Sequence, residues 1–100
     1  LVARVGEAGW KPVPHARAKG LWIERYGNKP GRMYLTVRNA GKAAVKTVLT
    51  LDVKALRLNL KRVAVRQVSP EKAVKFAAKG DVLAGAVRVE SQEMIVLAVG

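Results

Sequence analysis

The chain has 100 residues, half of them hydrophobic and 26% charged: one domain's worth of sequence, too apolar for a disordered tail. It contains no cysteine, which excludes a disulfide scaffold, a thiolate zinc site and a cysteine nucleophile. Nineteen Lys and Arg against seven Asp and Glu give a formal charge of +12, which suits nucleic acid, anionic lipid or acidic polysaccharide, although heat-stable proteins also carry many surface cations.

Leu1 opens the chain without an initiator Met or a secretory signal, so a piece of something longer is expected. Residues 1–9 read as the last turns of a helix ending at Gly6 or Gly9, where glycine takes the left-handed cap. Pro12 and Pro14 then hold the backbone extended and withhold two amide donors, the mark of a linker or an edge-hugging segment. Residues 1–19 are therefore assigned to a lead-in and linker, and residues 20–100 to the folded domain. Residues 21–26 (LWIERY) read as a strand bounded by Gly20 and Gly27, and residues 28–31 (NKPG) as a turn. Alternation follows. Met33, Leu35 and Val37 share one parity, and after a turn at residues 39–41 so do Val45, Thr47, Leu49, Leu51 and Val53. Residues 54–60 favour a strand-like or irregular connection over a helix. Val63 and Val65, Val87 and Val89, and Ile95, Leu97 and Val99 continue the period of two, and residues 71–78 lean towards a short strand carrying Val74 and Phe76. Strands with one apolar face each, punctuated by Gly, Pro and Asn, predict an all-β, immunoglobulin-like antiparallel sandwich of about seven or eight strands. Met33, Leu35, Val37, Val45, Leu49, Leu51, Val63, Val65, Val87, Val89, Ile95 and Leu97 are its expected core. No apolar run approaches the roughly 20 residues of a membrane helix.

Catalytic chemistry finds little support. The lone histidine, His15, directly follows the proline-bearing stretch of Pro12 and Pro14, with no carboxylate within five residues to orient it as a base. The carboxylates are scattered among cations, where ion pairing is their expected role, and one His without Cys supplies no metal-ligand set. The glycine-flanked residues 27–31 lack the spacing of a phosphate-binding loop. No catalytic residue, metal ligand or cofactor site is therefore expected. Arg38, Lys46, Arg66 and Arg88 all point away from the predicted core and form a candidate basic face, capable of weak, salt-sensitive polyanion binding. A single-strand nucleic-acid binder would add exposed aromatics to such a face, and alternation assigns only Tyr34 there with certainty.

Several segments taken together carry a resemblance. They are Gly9-Trp10-Lys11-Pro12-Val13-Pro14-His15-Ala16-Arg17, Leu21-Trp22-Ile23-Glu24-Arg25-Tyr26-Gly27, Met33-Tyr34-Leu35-Thr36-Val37-Arg38-Asn39, Val45 to Leu58, and Val87 to Leu97. This series resembles the β-sandwich domain that follows the catalytic (β/α)8 TIM barrel in many microbial glycoside hydrolases, with Lys11 standing where that linker usually carries an acid. The resemblance implies a non-catalytic accessory domain packed against an adjacent catalytic domain, with a closing hairpin over Val87 to Leu97. Trp10, Pro12, Pro14, His15 and Arg17 are the candidate domain-interface residues, and Trp10 and Trp22 are expected as buried seam residues, Trp22 within the fold itself. Two other functions compete: a basic nucleic-acid-binding module, and a structural domain that self-associates through its strand edges.

Overall fold

The computed structural model describes residues 9–11, 14–27, 32–59 and 63–100. Among them the chain forms ten strands and no helix: β1 (Trp10–Lys11), β2 (Ala16–Ala18), β3 (Trp22–Tyr26), β4 (Met33–Arg38), β5 (Val45–Asp52), β6 (Val65–Ser69), β7 (Glu71–Lys72), β8 (Phe76–Lys79), β9 (Val82–Val89) and β10 (Met94–Val99). A six-stranded sheet, A, has the order β1-β3-β4-β10-β6-β7, and a four-stranded sheet, B, the order β2-β5-β9-β8. All pairings are antiparallel. The expected antiparallel sandwich is the fold; β1, β2 and β7, of two or three residues each, raise the strand number to ten. The lead-in over residues 1–8, Pro12 and the turn at 28–31 lie outside the described residues. Trp10–Lys11 and Ala16–Ala18, expected as linker, form β1 and β2 at the edges of the two sheets.

The core lies between the inner faces of the two sheets. Met33, Leu35, Val37, Ile95, Leu97 and Val99 from sheet A meet Leu49, Leu51, Leu83, Val87 and Val89 from sheet B, all of them buried. Each such side chain contributes about 1.5–3 kcal/mol relative to an exposed one. Val45, Val63 and Val65 are only half-buried. Val53, Leu56 and Leu58 complete the core from the turns after β5. Asp52 begins those turns: its Oδ1 accepts the Ala55 N–H at 3.0 Å, and its carbonyl accepts the Leu56 N–H at 3.1 Å.

Two polar residues and one glycine lock this packing. Asn39 is buried at the end of β4; its Nδ2 donates to Ala43 O at 2.8 Å and Val89 O at 3.0 Å, and its Oδ1 accepts the Gly41 N–H at 2.9 Å. Arg25 turns inward beside Ile23, and Nη1 donates to Gly27 O at 2.9 Å; burial lowers its pKa from the ordinary arginine value. Gly85 faces Phe76 across β8–β9, and a Cβ there would lie 2.6 Å from the Phe76 ring and from Lys75 O.

The expected closing hairpin takes a different form. β9 pairs with β5 and β8 in sheet B, whereas β10 pairs with β4 and β6 in sheet A, so residues 90–93 cross between sheets. That crossing is fastened to the β4–β5 loop: Ser91 Oγ donates to Gly41 O at 2.8 Å, and Gln92 Nε2 donates to Ala40 O at 2.8 Å and Gly41 O at 3.0 Å. These bonds hold the crossing against a loop between the sheets, in place of the tight turn that would keep both strands in one ladder.

Candidate functional site

The outer face of sheet A gathers most of the aromatic side chains. Antiparallel partners share a face, and the register places Trp10 beside Tyr26, Tyr26 beside Tyr34, Tyr34 beside Ala98, and Ala98 beside Arg66. A second row runs Trp22, Arg38, Met94, and between the two rows lie Glu24, Thr36 and Val96. Neighbouring strands are about 4.8 Å apart, and Trp22 and Tyr26 about 13 Å apart along β3. Trp10 is 56% exposed, Trp22 72% and Met94 47%. The Tyr26 hydroxyl donates to Glu24 Oε2 at 3.3 Å. Burial first, then the charge and hydrogen bond of Glu24, raise the Tyr26 pKa from its ordinary value.

Trp22 is therefore not a fold-core residue. β3 packs inward through Ile23, which pairs with the buried Val37, so its neighbour must face out. The signal lay in the sequence: Glu24 shares the parity of Trp22 and Tyr26, and a carboxylate marks the solvent side of a strand.

The candidate basic residues are all exposed but do not form one face. Arg38 and Arg66 lie on the outer face of sheet A; Lys46 and Arg88, partners in the β5–β9 ladder, lie on the opposite side of the sandwich. Arg88 Nε donates to Glu90 Oε1 at 2.7 Å. That hydrogen bond, then the opposite charge, raises the Arg88 pKa and holds the Glu90 carboxyl below its ordinary value.

The candidate interface residues separate too. Trp10 belongs to the aromatic face, whereas Pro14, His15 and Arg17 line a groove of about 500 Å³ on the sheet B side, closed by Thr50, Asp52 and Val82. Folding thus brings to His15 the carboxyl-bearing residue that its sequence neighbourhood lacks: the Asp52 N–H donates to His15 O at 2.9 Å. Among the described residues, no three His, Asp or Glu side chains gather into a cation site. No family model matches this chain, and neither a curated protein nor a solved structure matches it.

Proposed function

We propose that this chain is a non-catalytic β-sandwich accessory domain of a carbohydrate-active enzyme, docked on its catalytic module through the outer face of sheet A. The observation that carries this reading is the cluster on one sheet face of exposed Trp10, Trp22 and Met94 with half-buried Tyr26 and Tyr34 between them. A patch of this kind marks an interaction surface, and Trp, Tyr, Met and Arg are the residue types enriched where protein interfaces desolvate. Trp10 lies in β1, the first strand among the described residues and at the edge of sheet A, so a preceding module would arrive near the same edge. The resemblance to glycoside hydrolase accessory domains supplies the identity of that module.

Two measurements test it. The encoding gene should continue upstream of Leu1 into a (β/α)8 barrel; a frame that starts at this domain would overturn the reading. In the longer protein, Trp10 and Trp22 should be shielded from acrylamide relative to the 100-residue chain. Equal quenching would leave the aromatic face without its proposed partner.

A second reading gains from the same face. The stacking aromatics that the sequence assigned only to Tyr34 are joined there by Trp10, Trp22 and Tyr26, with Arg38 and Arg66 alongside, a combination that suits single-stranded nucleic acid. Sub-micromolar quenching of tryptophan fluorescence by an oligonucleotide at 0.15 M salt, lost in Trp22→Ala, would favour this module over the accessory domain; binding that vanishes at that salt is the expectation for phosphate contacts alone.

A further inference from the structure

On the opposite side of the sandwich, we propose that the groove between residues 14–17 and β5 binds a small hydroxylated carboxylate, namely a uronic acid unit of an acidic glycan. Its size, about 500 Å³, falls within the range of small-ligand sites. Pro14, Ala16 and Val82 supply apolar surface, and four polar side chains open onto it: His15, Arg17, Thr50 and Asp52. Among the described residues, neither the His15 imidazole nor the Arg17 guanidinium is engaged in a hydrogen bond. Asp52 commits Oδ1 to the Ala55 N–H, and its second oxygen remains able to accept.

This donor set selects its ligand. The planar fork of Arg17 matches a carboxylate, bonding it through two charge-assisted N–H groups. Asp52 repels a bare anion and demands a donor, which a sugar hydroxyl provides and inorganic phosphate at neutral pH provides poorly. A neutral sugar satisfies Asp52 and Thr50 but leaves Arg17 without its counter-charge. A ligand carrying both groups is the one that satisfies the whole groove.

The backbone adds an independent observation. Among the described residues, three non-glycine residues have positive φ: His15 (54°), Arg57 (55°) and Gln92 (62°). Gln92 is compensated by its two side-chain hydrogen bonds to the β4–β5 loop. His15 has no such bond, and its conformation is imposed by the Asp52 N–H on its carbonyl and by the adjoining β2–β5 pairing. Glycine would adopt this conformation at lower cost; histidine instead puts an imidazole in the groove wall, the kind of strained placement that accompanies ligand sites. The identity of the ligand as a sugar acid rests on the proposed function, whereas recognition of an anion bearing hydroxyls does not.

The test is an NMR titration of the intact chain with D-galacturonate, D-galactose and inorganic phosphate. Galacturonate should shift the Arg17, Thr50 and Asp52 amides saturably, at least tenfold more tightly than either of the others. Arg17→Gln should weaken it at least tenfold. His15→Gly should weaken it severalfold while Tm holds or rises, a split that a purely structural histidine would not give. Arg38→Gln, on the other side of the sandwich, should change nothing. Galactose or phosphate binding as tightly as galacturonate, or an unaltered titration in Arg17→Gln, overturns the proposal. A gene without an upstream barrel would remove the accessory-domain reading and leave this titration standing; a flat titration would remove the groove and leave the docking face standing.

Discussion

The two outer faces of this sandwich obey the same alternation and carry opposite chemistry. On sheet B the outward positions are small or charged: Lys46, Val48, Thr50 and Asp52 on β5, then Val82, Ala84, Ala86 and Arg88 on β9. On sheet A they include Trp10, Trp22, Tyr26, Tyr34 and Met94, and among the described residues the charged ones are Glu24, Arg38, Arg66 and, on the short edge strand, Glu71. Solvent accounts for the first face, since small and ionic side chains are the ordinary covering of a two-layer sandwich. It does not account for the second, because large aromatic side chains reward burial most and here Trp10 and Trp22 remain in water. The inner faces show less contrast; both are built mainly of buried aliphatic side chains. Alternation therefore specifies which residues face out, but not what those residues are.

The largest expected effects test the sameness of the inner faces. Leu35→Ala in sheet A and Leu49→Ala in sheet B remove fully buried side chains and should each cost about 2–5 kcal/mol by urea denaturation. A cost under about 1 kcal/mol at either site would mean that one sheet is not packed as described. Next comes the seam between them. Asn39→Ala strands the carbonyls of Ala43 and Val89 and the Gly41 N–H, and should cost about 1–3 kcal/mol. Asn39→Asp should not rescue it, because a carboxylate cannot donate to either carbonyl.

The contrast between the outer faces predicts smaller effects with a distinct signature. Trp22→Lys and Val48→Lys both replace exposed apolar side chains, 72% and 55% exposed, and should each shift stability by no more than about 0.5 kcal/mol. Only Trp22→Lys should reduce binding of a hydrophobic dye to the isolated chain and attachment to a neighbouring module. Equal effects on dye binding would erase the distinction between the faces.

Much of this fold was legible in the chain because burial has a period of two on a half-buried strand. Met33, Leu35 and Val37, or Leu49 and Leu51, announce themselves in that way. Leu56 and Leu58 do not: they are buried from consecutive turns after β5, where the period is lost and Asp52 sets the geometry. Arg25 and Gln67 are buried although polar, because each finds a backbone carbonyl nearby, Gly27 O and Pro70 O respectively. The aromatic face was half legible, since parity with Glu24 points Trp22 and Tyr26 outward, but its assembly depends on β1 and β4 flanking β3. The groove was not legible at all. His15 and Asp52 meet only because β2 adds to the edge of β5, a pairing that leaves no local mark in either segment.

The smallest expected effects come from one polar pair on each outer face, and their pH dependences run in opposite directions. On sheet B, Arg88 holds Glu90 below its ordinary value of 4.5. A depressed folded-state pKa stabilises above the unfolded value, and that stability is lost as pH falls through the folded one. On sheet A, burial and Glu24 raise Tyr26 above its ordinary value of 10.0. A raised folded-state pKa stabilises below the unfolded value, and that stability is lost as pH rises through the folded one. Arg88, Glu90 and Glu24 are exposed and Tyr26 is only half-buried, so both pairs are screened by solvent and salt and each effect should be small. Thermal melts should therefore show Glu90→Gln below wild type at pH 7, with the gap closing as pH falls below the ordinary carboxylate range. Tyr26→Phe should show its gap at pH 7 to 9 and lose it above pH 10. The Tyr26 phenol should also ionise late in a spectrophotometric titration, and Glu24→Gln should bring it back towards its ordinary value. A gap in Glu90→Gln that persists unchanged into acid would show that Arg88 does not hold that carboxylate in solution. Ordinary titration of Tyr26 in the isolated chain would show that its ring stands free of Glu24 on an aromatic face more open than the one described.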